Sequence, residues 1–201
     1  MPALILSSRY VLSSVTSISF VGATAKDFDV YSHVESTSVS HMLVRLFDLT
    51  ERVYVGKVCK SFIYSHRYNM ADSLYPDFSM NTTGEIIFYD GDKLKSKTAN
   101  VLSLTACGTD ADLSTRFSFN PELHICIERD STPGALTFSS DDPANSSYKN
   151  DFMLVINGHA VGIRRIYYFD TTDFSLLAPV VFANIIKFKS KILEVAVVDL
   201  Q

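Results

Sequence analysis

Apolar residues in this chain fall in short runs cut by polar turn signals, a layout that builds sheets far more readily than long helices. Segment 123–128 shows the pattern most clearly. Leu123, Ile125 and Ile127 alternate there with His124, Cys126 and Glu128, and a period of two sends the first set to one sheet face and the second set to the other. Phe117 and Phe119 alternate in the same way with Arg116 and Ser118 before Pro121 breaks the run. No run reaches the roughly 18 consecutive apolar residues of a membrane-spanning helix.

Further strands are expected over 53–64, where Tyr54, Val58, Phe62 and Ile63 favour extended backbone, over 84–89 before the turn signal Asp90-Gly91-Asp92, and over 100–106 before Gly108. Residues 152–156 lead through Asn157-Gly158, a hairpin signal, into 160–169. Segment 192–200 reads as a closing strand. Residues 139–150, rich in Ser, Asp, Asn and Pro, read as a long exposed loop. Two segments suit helices. One is 69–74. The other begins near Asp173 or Ser175, where Leu176, Leu177, Val180, Val181, Asn184 and Ile185 fall near helical spacing and Pro179 is tolerated in the first turn.

The expected fold is mainly β, with α+β as the alternative: a single β-sandwich or jelly-roll-like domain over 1–201 with one or two short helices. Residues 1–26 read as an N-terminal arm or strand. They carry no acid before Asp27, and Ala23-Thr24-Ala25 resembles a signal-peptide cleavage site, but serines interrupt the apolar stretch over 11–21.

Hydrophobic residues at 47% and charged residues at 20% suit a packed core. A net charge of −4 and a pI near 5.7 lack the basic excess usual in nucleic-acid-binding domains. Three cysteines, Cys59, Cys107 and Cys126, read as free buried thiols in a reducing, intracellular setting.

Marked catalytic motifs are missing. Gly56-Lys57 is followed by Val58 rather than Ser or Thr, and neither His-Glu-x-x-His nor Gly-x-Ser-x-Gly occurs. His124, Cys126 and Cys107 could approach one another but offer no fourth zinc ligand. Asp90 with Asp92, and Asp110 with Asp112, fall at turn signals and read as solvated turn residues. Asn81 and Asn145 head glycosylation-type triplets and read as loop residues. A non-enzyme is therefore expected, without cofactor, metal or small-molecule substrate.

Basic residues cluster in three places: Lys57 and Lys60 with His66 and Arg67; Lys93, Lys95 and Lys97; Lys187, Lys189 and Lys191. The last set alternates with Phe188 and Ser190, so as a strand its lysines would share a face. That face could meet phosphates or anionic lipid head groups, or simply guard an edge strand.

Two resemblances follow from particular residues. Thr83-Gly84-Glu85-Ile86-Ile87-Phe88-Tyr89-Asp90, with Phe117-Ser118-Phe119 and the strand at 123–128, resembles the core of the thirty-kilodalton superfamily of plant-virus movement proteins. That resemblance implies a jelly-roll-like fold binding single-stranded nucleic acid. The order of a strand at 52–64, a helix at 69–78, several strands, then Tyr167-Tyr168-Phe169-Asp170 before a helix and closing strands is similar to rhabdovirus matrix proteins. This second resemblance implies self-association and contact with nucleocapsid and membrane. The chain is thus read as a viral structural or assembly protein of matrix or coat type. It would self-associate and touch nucleoprotein, RNA or an anionic membrane inside a host cell or in a virion. A movement protein and an enzyme with an unrecognised site are the alternatives.

Overall fold

The computed structural model describes residues 3–14, 25, 29–34, 37–49, 53–63, 69–70, 82–90, 93–109, 119–128, 153–164 and 180–196. Strands dominate them, as expected. The loop at 139–150, the segment 110–118, most of the expected helix at 69–74 and the start of the one near 173 lie outside the described residues.

An N-terminal sheet holds five strands: β1 (Leu4–Ser7), β2 (Tyr10–Ser14), β3 (Asp29–Val34), β4 (Thr37–Asp48) and β5 (Val53–Val58), in the order β1-β2-β5-β4-β3. All of its pairings are antiparallel. Arg9, in the turn between β1 and β2, fastens this sheet by donating from Nε and Nη2 to the Val58 carbonyl and from Nη2 to the Cys59 carbonyl, the last at 2.8 Å. β4 is irregular between Leu43 and Arg45. The extra residue there, Val44, shifts the strand's facing and leaves Arg45 directly opposite Lys57.

The second sheet comprises β6 (Asn69–Met70), β7 (Thr82–Asp90), β8 (Lys93–Val101), β9 (His124–Ile127), β10 (Met153–Ile156), β11 (His159–Arg164) and β12 (Val180–Asn184). Its order is β10-β7-β8-β9-β12-β11-β6, and β10 also pairs with β11. Six antiparallel strands therefore close into a barrel, to which β6 adds in parallel. Closure removes the open edges a sandwich would leave. The specific jelly-roll or sandwich expectation is thus corrected to a closed barrel packed against a smaller sheet. Asn157, at φ 50°, and Gly158, at φ 78°, form the expected hairpin between β10 and β11.

The barrel interior is filled by Ile86, Val101, Ile125, Ile127, Leu154, Ile156, Val161 and Phe182, with Ala99. Its outward face contributes Ile87, Met153, Val155, Ile163 and Ala183, which pack with Leu4, Leu6, Leu12, Val53 and Val55 of the first sheet. Strands at this seam are buried on both faces, so β10 reads Met-Leu-Val-Ile without alternation. Val11, Leu43, Val58 and Phe62 form a separate core on the other face of the first sheet.

Three expectations near the C-terminus are overturned. Residues 180–184 form strand β12 rather than helix, and 192–195 of the expected closing strand are helical rather than extended, while 197–200 lie outside the described residues. A 3-10 turn, Ile185–Phe188, is capped by Asn184, whose Oδ1 accepts from the Ile186 N–H at 3.2 Å. Helix α2 (Lys189–Val195) follows. Ile185, Phe188 and Ile192, spaced three and four apart, turn into the seam. Their burial outweighs the Lys-x-Lys-x-Lys alternation. Further back, the strand expected over 100–106 ends at Val101, and Leu104–Thr109 is a short helix, α1, started by Ser103 Oγ accepting from the Ala106 N–H.

Candidate functional site

Histidine is the side chain best placed for proton transfer near neutral pH, and the chain has five. His41 on β4 is buried; its Nδ1 lies 3.3 Å from the Lys60 carbonyl and its ring rests against Phe62. A carbonyl only accepts, so a hydrogen bond at this contact requires the Nδ1–H tautomer. His124 on β9 is the reverse case: the Asn120 N–H donates to its Nδ1 at 3.0 Å, leaving that nitrogen unprotonated. His159 places Nδ1 3.0 Å from the Asn157 carbonyl within the β10–β11 hairpin. His33 belongs to β3, and His66 lies outside the described residues.

Cys107 and Cys126 are fully buried and joined in a disulfide, with Cα atoms 6.2 Å apart. This corrects the expectation of three free thiols; among them Cys59 alone is free. The bond ties α1 to β9, and Val181, Leu102 and Phe119 pack around it. Cysteines so bonded are not zinc ligands. The Cys126–His124 face of β9, which alternation alone would leave half exposed, is buried beneath α1.

The three basic clusters occupy three different elements. Lys57 lies on β5, and Lys60 follows it on the surface. Arg67 lies outside the described residues. Lys93, Lys95 and Lys97 run along β8, opposite Asp90, Phe88 and Ile86 of β7. Among the described residues, β8 pairs with β9 at Val101 opposite Ile127. Lys187 sits on the 3-10 turn and Lys189 and Lys191 on α2, so a shared strand face does not exist there. Lys191 Nζ instead donates to the Leu49 carbonyl at 3.4 Å. A grouping invisible in the sequence appears on the first sheet, where Lys57 stands opposite Tyr10 on one side and Arg45 on the other. Its ammonium lies 5.4 Å from the centre of the Tyr10 ring.

A closed antiparallel barrel packed on a second antiparallel sheet, with a C-terminal helix sealing the seam, recurs in solved structures. The scabies mite inactivated protease paralogue S-D1 superposes with a TM-score of 0.67 at 14% identity, over 99% of this chain and 88% of that one. Kallikrein-related peptidase 10 gives 0.61 at 13% identity, over 96% and 87%. The VesB protease of Vibrio cholerae gives 0.63 at 13% identity, over 94% of this chain and 56% of its own. The fold is that of the trypsin-like serine proteases. No protein-family model and no curated protein matches the sequence.

The trypsin-like fold overturns the viral reading. The resemblances to movement and matrix proteins rested on short strand patterns such as 83–90 and on the order of elements, and short β-strands follow one another in many unrelated architectures. The non-enzyme expectation falls with them, since a peptidase and a protease share this architecture. Missing motifs were a poor guide here. A serine-protease triad is assembled in space from distant positions and is recognised by geometry rather than by a local signature.

Such a triad requires an imidazole that donates Nδ1–H to a carboxylate and takes the serine proton at Nε2. His41, His124 and His159 each direct Nδ1 to the main chain. His33, on β3, and His66 complete the five histidines.

Proposed function

We propose that this chain recognises polypeptides with the trypsin-like fold, and that any cleavage it performs draws its imidazole from His33 or His66. The observation that carries the reading is the superposition over 94–99% of the chain on a peptidase, a protease and an inactivated protease paralogue, at TM-scores of 0.61 to 0.67. The engagement of the other histidines with backbone groups supports the second half. Those contacts turn Nδ1 of His41, His124 and His159 toward the main chain.

The test is incubation with a random peptide library, read by mass spectrometry for cut products and by pull-down for retained peptides, alongside labelling with a serine-reactive fluorophosphonate. Cleavage that persists in His159→Ala and is lost in His33→Ala or His66→Ala is the expected outcome for a hydrolase. Retention of peptides without labelling would group the chain with the inactivated paralogue. A protein that neither cuts nor holds any peptide would sink the reading.

A further inference from the structure

We propose that the cross-strand row Tyr10–Lys57–Arg45 on the first sheet, flanked by Arg9, binds a sulfated polysaccharide. The row exists because three strands are in register. Lys57 of β5 faces Tyr10 of β2 and Arg45 of β4 as direct antiparallel partners. Side chains so opposed share a sheet face with Cβ atoms roughly 5 Å apart, and like charges in that relation destabilise a sheet. The fold tolerates this opposition where a neutral or acidic partner would hold the strands better.

Nothing among the described residues relieves the pair. Arg45 is exposed and makes no hydrogen bond or ion pair with a described residue. The nearest acid on its own strand, Asp48, pairs with Tyr54 three positions away and so projects from the opposite face. Lys57 is held over Tyr10 by its attraction to the ring, which fixes the ammonium in place without neutralising it. Arg9 adds a third cation at the end of β5, where its guanidinium is pinned to the Val58 and Cys59 carbonyls. The chain as a whole is acidic, at −4, so this concentration of positive charge does not simply reflect composition.

Two cations at strand spacing, one held over an aromatic ring and the other a planar fork, suit tetrahedral oxyanions on successive units of a polymer. Sulfate esters and phosphate esters share that chemistry. The buried Cys107–Cys126 disulfide favours the sulfated sugar, because such bonds persist in oxidising compartments, where sulfated polysaccharides abound and RNA does not.

The experiment is salt elution of the intact protein from immobilised heparin and, in parallel, from immobilised transfer RNA. Arg45→Ser with Lys57→Ser should weaken heparin binding at least ten-fold at physiological salt. It should also lower the dependence of log K on log salt by about 2, close to one unit per cation removed. Lys187→Glu, on the 3-10 turn, should leave both unchanged. Arg45→Glu supplies a readout that misfolding cannot mimic. It should weaken heparin binding while raising Tm by about 2 °C, since an opposed like-charge pair becomes an ion pair. The site is refuted by no retention of the unmodified protein, by equal loss in Lys187→Glu, by unchanged binding in either Arg45 variant, or by a fall in Tm for Arg45→Glu. Tighter binding to RNA than to heparin would overturn the assignment of the ligand.

Discussion

Gly162 on β11 passes so close to Phe182 on β12 that a Cβ built on the glycine would meet the Phe182 Cβ at 2.9 Å. The contact lies inside the closed barrel, where Phe182 is fully buried. Gly162→Ala should therefore push β11 from β12 and cost about 1–3 kcal/mol, the range for overpacked cores. Gly158 provides the contrast. A Cβ there meets nothing within 4 Å, and its φ of +78° is the sole obstacle, so Gly158→Ala should cost about 1 kcal/mol. Urea denaturation of both variants checks the order.

Ile125 points into the same barrel interior and is fully buried, whereas Leu123 precedes β9 and is only half-buried. Ile125→Ala should cost about 2–5 kcal/mol, and Leu123→Ala clearly less. Equal costs in thermal unfolding would show that the barrel interior does not end at His124.

Cys107 and Cys126 close a loop with a sequence separation of 19 residues. Replacing both by serine should cost about 3 kcal/mol, as expected for a loop of this length. Before reduction only Cys59 should react with a maleimide under denaturing conditions, and intact mass gives the count directly. Labelling of Cys107 or Cys126 in the unreduced protein would contradict the bond.

His124 accepts the Asn120 N–H just ahead of β9, and Asn120 in turn accepts the Glu122 N–H on Oδ1 at 2.9 Å. His124→Ala strands the Asn120 donor beside the buried disulfide cluster, a loss of about 1–3 kcal/mol. Any peptide cleavage by the folded fraction should survive. A stable variant that loses cleavage would move His124 from the scaffold to the catalytic machinery.

Lys191 reaches from α2 to the Leu49 carbonyl on the first sheet. Lys191→Met should keep the apolar stem packed and lose only this long, partly exposed bond, costing about 0.5 kcal/mol. A loss of several kcal/mol in chemical denaturation would mean that the helix is held to the seam chiefly by this bond rather than by Ile185, Phe188 and Ile192.

Local chemistry was enough to define some elements in the sequence. Asn157-Gly158 set its hairpin because only residues tolerant of positive φ make so tight a turn, and the alternation of Ile125 and Ile127 marked one face of β9 before any partner was known. Elsewhere the deciding forces were long-range. Lys187, Ser190 and Lys191 sit in helical turns because Ile185, Phe188 and Ile192 find the seam between two sheets, and the alternating lysines carried no information about that seam. Cys107 and Cys126 looked like separate thiols until α1 and β9 were brought together. The trypsin-like fold was illegible for the same reason: its strands read as any short β-strands, and barrel closure depends on β10 meeting both β7 and β11. Arg45 and Lys57, twelve positions apart in the chain, became neighbours only through a register set by the irregularity at Val44. Sequence determined where the chain turns and which residues avoid water; tertiary packing decided which strands meet, and so which charges face one another.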